Sequence, residues 1–229
     1  MHKKTIWNLS LNALIVALEI VGTVLLFTLP LYLYDKEIWY GWKVIKFYTT
    51  DSNWLLMIAS IISIICILLL HYKKIKKIPN WVKYFKLFAT ASTTLTMLAV
   101  LVFSPLSYQM GYGNPAGLYS NSNTFYHLLC PLTAIVNYLI FEYKSDIKFI
   151  NTLYGMIPTA IYAIFYLSMS LSHIQLGNII PVEYDWYGLS NIGIRFWPLM
   201  TMLAIGSSYL FTWCLWYGNK KIVIKQIEK

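Results

Sequence analysis

Residues 9–34 read LSLNALIVALEIVGTVLLFTLPLYLY, and this run decides the class of the chain. It carries one charged side chain, Glu19. About 20 predominantly apolar residues suffice to cross a hydrocarbon core about 30 Å thick, and this run is longer. It is also too long for the apolar region of a signal peptide and lacks a small-x-small cleavage site, so it reads as a retained helix. Five further runs have the same character: 52–70, 87–108, 124–143, 149–171 and 196–217. All are continuously apolar rather than alternating, which predicts helices and not a barrel. The expected fold is an all-α, polytopic membrane bundle of six transmembrane helices, a single domain over residues 1–229.

Composition agrees. The chain is 58% hydrophobic and 12% charged, against about 25% charged residues in an average soluble domain. Its mean hydropathy is +0.57. These values exclude an ordinary water-soluble enzyme, a disordered tail and a nucleic-acid-binding domain. The net charge of +9 comes from 18 Lys and Arg against 9 Asp and Glu. With the N-terminus inside, 14 of the 18 fall on cytoplasmic segments: Lys3, Lys4, Lys73, Lys74, Lys76, Lys77, Lys83, Lys86, Lys144, Lys148, Lys220, Lys221, Lys225 and Lys229. Lys36, Lys43, Lys46 and Arg195 remain outside. The positive-inside rule then predicts a multi-pass protein of the cell membrane with both termini cytoplasmic. The preference for Lys over Arg suggests an AT-rich bacterial genome. The 73–86 stretch, with Trp81, Tyr84 and Phe85 among its lysines, reads as a contact with anionic lipid. Membrane lipids are therefore the expected partners, with no nucleic acid.

Small residues suggest helix-packing faces: Ala13 with Ala17, Ala89 with Thr93, Ser92 with Thr96, and Gly155 with Thr159 and Ala163. Gly111, Gly113, Pro115 and Gly117 mark an irregular loop.

Polar groups inside spans are costly and each needs a task. The expected topology gathers them at the outer helix ends: Thr49, Thr50, Asp51, Ser52 and Asn53 on the second, Asn123, Thr124 and His127 on the fourth, His173 on the fifth and Arg195 on the sixth. Glu183, Asp185 and Tyr187 lie in the preceding loop. The prediction is one outward-facing polar pocket. His127 has the chemistry of a general base, a metal ligand or a hydrogen-bonded structural member. The 49–53 run also suits a helix N-cap, although a cap needs only one such residue. Cys130 shares a helix face with His127, which allows a Cys–His pair or a buried apolar thiol. No spacing matches a recognised zinc or dinucleotide pattern, so no metal and no cofactor is expected. Glu19 opens a different reading, a transporter or channel that uses this acid and the outer cluster. A non-catalytic assembly or sensing protein is the third.

Lys46-Phe47-Tyr48-Thr49 at the start of the second helix, and His127 with Pro131 near the start of the fourth, resemble the two motifs of the androgen-induced-gene family of six-helix membrane proteins. The Thr49-x-x-Ser52-Asn53 form looks like its bacterial relatives. Tyr184-Asp185-Trp186-Tyr187-Gly188-Leu189 is similar to an aromatic-rich segment before the last helix. Members of that family hydrolyse fatty-acid esters of hydroxy fatty acids with a membrane threonine and a histidine. The resemblance implies Thr49 as nucleophile, His127 as base and a lipid ester as substrate, with Thr50 left as a second candidate hydroxyl. A threonine hydroxyl needs such a base within hydrogen-bond reach. Asp51 or Asp185 would orient the imidazole. Asn53, Asn123 or Arg195 would stabilise an oxyanion, and His173 belongs to the same supporting set.

Overall fold

The computed structural model describes residues 3–29, 31–33, 37–39, 41–109, 121–142, 147–175, 180–181, 183–187 and 189–227, with backbone alone at 31–33, 37–39, 103–109, 191–192 and 223–227. Six helices are long and apolar enough to cross a membrane, the build of a multi-pass membrane protein. They are α1 (Lys3–Thr28), α2 (Tyr48–His71), α3 (Asn80–Gln109), α4 (Ser122–Phe141), α5 (Phe149–Ser172) and α6 (Trp197–Ile227). Their outer surfaces are apolar, with Ile161, Ile164 and Met202 all more than 60% exposed. Large exposed apolar faces on every helix suit a lipid solvent.

α1 stops at Thr28, earlier than the hydropathy suggests. Leu29 precedes Pro30, and the residue before a proline is disfavoured in helix. A short antiparallel hairpin follows, β1 (Leu31–Leu33) on β2 (Glu37–Trp39), with Tyr32 opposite Ile38. Helices α1, α3 and α5 begin, and α2, α4 and α6 end, on one face of the bundle, here called the terminal face. The glycine-rich 111–117 loop, Lys36, Lys144 and Lys229 lie outside the described residues.

The packing stripe of α1 is Asn8, Asn12, Ile15, Glu19, Gly22 and Leu26, all buried. This corrects the expectation for Ala13 and Ala17, which are exposed. The helix turns its polar groups inward because they cost more in lipid than alanine does. Gly22 permits α4 to approach, since a Cβ there would sit 2.8 Å from the Tyr126 ring. The Ala89, Ser92, Thr93 and Thr96 rows of α3 are buried as expected. Gly155 seats α6: a Cβ would lie 2.1 Å from Thr212 Oγ1, and Ser208 Oγ donates to the Gly155 carbonyl at 2.9 Å.

α4 is not a uniform α-helix. Its turns at Phe125–Leu129 and Asn137–Phe141 are π-helical, on either side of an α segment, Cys130–Val136. Pro131 lacks an N–H and its ring crowds the preceding turn, and a widened turn relieves both effects. The Cys130 N–H reaches back to the Phe125 carbonyl accordingly. In the middle of the bundle Ile15, Leu56, Ala59, Ala89, Cys130 and Ala134 form a fully buried layer across α1 to α4.

Candidate functional site

The sequence expects Thr49–Asn53 near a helix start, and α2 does begin at Tyr48. The cap, however, is not one of those five residues. Phe47 occupies the N-cap position with extended backbone and no side-chain cap bond. The Tyr48 N–H is instead satisfied from elsewhere in the fold, by the Tyr187 hydroxyl at 2.8 Å. An orphan donor at a helix start must find some acceptor, and here a tyrosine of the 183–187 segment supplies it. The five polar residues are thereby released for other contacts.

That segment is fixed to the α2 entry at several points. Lys46 Nζ donates to the Glu183 carbonyl at 2.6 Å and lies 4.9 Å from the Trp186 ring centre. The Tyr162 hydroxyl of α5 donates to the Lys46 carbonyl at 2.5 Å and accepts from Trp186 Nε1 at 2.9 Å. Tyr48 and Thr159 share a hydrogen bond at 2.8 Å. Tyr187 packs against Phe47, Tyr162 and Tyr166. Burial pushes the Tyr187 phenol well above its ordinary range, so it stays a neutral hydroxyl. The structure therefore brings 46–49 and Trp186 and Tyr187, parts of two of the three quoted motif segments, into one aromatic cluster.

Asn53 supplies the link to α4. It is fully buried, and its Nδ2 donates to the Thr49 carbonyl at 2.7 Å and to the Tyr126 carbonyl at 3.2 Å. Ser52 Oγ also donates to the Thr49 carbonyl, at 3.1 Å. Tyr126, Thr23 and Trp54 form a hydroxyl–indole cluster that ties α1, α2 and α4 at the same level. His127 follows Tyr126 inside the first π turn and is buried. Its imidazole lies against the Thr96 backbone of α3, and Nδ1 has no hydrogen-bond partner. Among the described residues no hydrogen bond joins Thr49 to His127; Asn53 and Trp54 of α2 both bond Tyr126, the neighbour of His127. Thr49 is half-buried, whereas Thr50 is 2% exposed.

The remaining predicted residues fall in different places. Asp185 is buried, and its carboxylate accepts from the Tyr166 hydroxyl and from the Leu189 and Ser190 N–H groups at 2.9 and 2.8 Å. It caps the turn at Leu189–Ile192 and anchors the aromatic segment, so its partners are not those of an imidazole-orienting acid. His173 stacks flat on Tyr184 at 3.5 Å, and its Nδ1 bonds the Met169 carbonyl at 2.8 Å, away from His127. Arg195 is exposed over the Phe196 ring. Asp51 is partly buried in the first turn of α2. Asn123 is buried at the start of α4.

A second polar group was missed. Lys86 is 1% exposed, not a member of a solvated or lipid-facing basic run. Its Nζ donates to Asn12 Oδ1 at 2.7 Å and to Ser60 Oγ at 2.6 Å. Asn12 Nδ2 in turn donates to the Asn8 carbonyl and side chain at 2.9 and 2.8 Å. Glu142 adjoins this group at the end of α4, beside a cavity of about 10 Å3 lined by Ser63, Lys83 and Lys86. The helical register held a signal: Val82, Lys86, Ala89 and Thr93 recur at steps of three and four on the buried stripe of α3.

No group of three or more His, Cys, Asp and Glu suited to a metal occurs among the described residues. Comparison with family models, with curated proteins and with solved structures finds no match to this chain.

Proposed function

We propose that the chain is an intramembrane hydrolase of lipid esters, with Thr49 as nucleophile and His127 as base. The observation that supports this reading is the Asn53 clamp, which ties the Thr49 carbonyl on α2 to the Tyr126 carbonyl beside His127 on α4. Two motifs more than 70 residues apart thereby meet at one level of the bundle. The unpartnered Nδ1 of His127 leaves the ring a free acceptor. Thr49 Oγ attacks the ester carbonyl carbon and His127 takes its proton. The tetrahedral intermediate collapses with loss of the alcohol, which recovers that proton from the imidazolium. Water, activated by the same histidine, then releases the acid from the threonine ester. Asn123, buried at the start of α4, is the amide assigned to the oxyanion. Substrate has to close the remaining distance between hydroxyl and imidazole, since catalytic hydrogen bonds often tighten only in the complex.

The same proposal takes both termini as cytoplasmic, the protein as bacterial and resident in the cell membrane, and the ester as entering from the outer leaflet. The relationship to the androgen-induced-gene family is part of it. A second reading, passage of a small solute or ion, draws on the buried Glu19 together with the outer polar cluster.

Labelling of the purified protein with a fluorophosphonate probe tests the site. Wild type should label and Thr49→Ala should not. His127→Ala should label slower by at least about 100-fold, the lower end of general-base contributions. Equal labelling of all three proteins, or loss only in Thr50→Ala, would overturn the assignment.

A further inference from the structure

Toward the terminal face α6 carries Trp213, Trp216, Tyr217, Lys220 and Lys221, which line a cavity of about 390 Å3. Steps of three and four put these five side chains on one side of the helix. The volume falls in the range of ligand pockets, about 300–1,000 Å3. Its floor is held in place. Trp216 Nε1 donates to the Ile147 carbonyl at 2.9 Å, and the Phe149 ring tilts onto the indole at 5.9 Å. Asn219 Nδ2 donates to the Tyr138 carbonyl at 2.8 Å, and a Cβ at Gly218 would sit 2.8 Å from Leu139 Cδ2. This stretch of α6 is therefore seated on the end of α4, while Trp213 and Tyr217 stack at 5.5 Å on its open side, with Tyr217 exposed.

Aromatic rings followed by lysines are common wherever a helix leaves lipid. An ordinary interfacial lysine lays its stem along apolar surface and sends its head into water. Here both heads lie over the rings of the cavity. Lys220 Nζ is 5.1 Å from the Trp216 ring centre, and Lys221 Nζ is 5.5 Å from the Tyr217 ring centre. Among the described residues neither ammonium pairs with a carboxylate. Contacts of this kind at exposed positions are weak, so the two charges keep most of their appetite for an anion. Lys148, which follows the Ile147 that anchors Trp216, is exposed at the same end of the bundle.

We propose that this cavity binds an anionic phospholipid of the leaflet at the terminal face, with its phosphodiester on Lys220 and Lys221 and an acyl chain along Trp213, Trp216 and Tyr217. The lining selects that occupant by combining two unpaired cations with apolar walls. A free phosphate would answer the charges and leave the rings uncovered. A zwitterionic lipid would bring a further positive charge up to two already present. The bound lipid would cover the seam where α6 meets the end of α4 and the start of α5, since Trp216 and Asn219 tie those elements together directly beneath it. Thr49 lies at the start of α2, away from the terminal face. The site is therefore separate from the one assigned to ester hydrolysis and does not depend on that reading.

Native mass spectrometry of the full-length protein in micelles, titrated with phosphatidylglycerol or phosphatidylcholine, tests the site. Phosphatidylglycerol should bind at least about tenfold more tightly than phosphatidylcholine, and excess inorganic phosphate should not displace it. Each lysine at an anionic lipid contributes a factor of about five, so Lys220→Gln with Lys221→Gln should weaken phosphatidylglycerol by about 30-fold. Both side chains are exposed, so the double variant keeps the fold. Lys76→Gln with Lys77→Gln removes the same charge from the exposed turn after α2 and should change binding by no more than about twofold. Unchanged binding in the Lys220 and Lys221 variant, or equal weakening in the two double variants, would overturn the proposal. Equal affinity for the two lipids, or displacement by inorganic phosphate, would do the same.

Discussion

Tyr187→Phe removes one oxygen atom and leaves the ring in its aromatic cluster. That oxygen accepts the Tyr48 N–H, the first amide of α2, at 2.8 Å, and receives a long contact from Tyr162 at 3.4 Å. The second is too long to carry much energy. The loss is therefore that of a part-buried helix cap, about 0.5–2 kcal/mol by the usual cap scale. A buried N–H left unsatisfied costs about 1–3 kcal/mol, which places the expected effect at about 1–2 kcal/mol. Because α2 can fray at its first turn without unfolding, the cost should appear locally. Amide hydrogen exchange across 48–53 should speed up by about 5–30-fold, the factor that corresponds to that energy. Exchange in the middle of α2, at 56–67, should not change. Probe labelling at Thr49 should fall in step, since Thr49 lies one residue beyond the lost cap. If exchange at 48–53 is unaltered, or if the whole helix loosens uniformly, the capping role of Tyr187 is wrong.

Gly155→Ala should destabilise by about 1–3 kcal/mol through collision with Thr212, measured by unfolding in mixed micelles. Thr212→Gly on that background should recover most of the loss, and no recovery would refute the close α5–α6 approach. Asp185→Ala strips acceptors from Tyr166 and two N–H groups and should cost at least about 1–3 kcal/mol; full probe labelling in the protein that still folds would assign it to structure alone. Arg195→Ala, at an exposed side chain, should stay within about 0.5 kcal/mol of wild type in stability and label normally. A loss of labelling there would show that Arg195 does reach the reacting group.

The spans were legible because lipid imposes a simple length and composition rule, and each predicted run sits largely within an observed helix. The ends were less so. α3 starts at Asn80, several residues before its apolar run, because Trp81, Tyr84 and Phe85 continue the helix through the lysines. That early start places Lys86 on an inward face, where a count of charges reads only a flank. Likewise the cap of α2 comes from Tyr187, nearly 140 residues away, and no local pattern at 49–53 encodes it. Asp185 and His173 share a polar character with His127 in sequence, yet their partners are the turn at 189–192 and the Tyr184 ring. Residue type suggested chemistry, and only the packing of neighbouring segments chose between chemistry and scaffolding.

The layer formed by Ile15, Leu56, Ala59, Ala89, Cys130 and Ala134 gives the bundle a narrow oily waist between two aqueous-leaning ends. Anything hydrated that crosses it must shed its water there, whereas an acyl chain sliding in sideways between helices meets no such toll. The waist also insulates the polar group around Lys86 from the polar group around His127. A polar substitution at Ala59 or Ala89 would short-circuit the two halves, and chemistry at one end would then answer to conditions at the other.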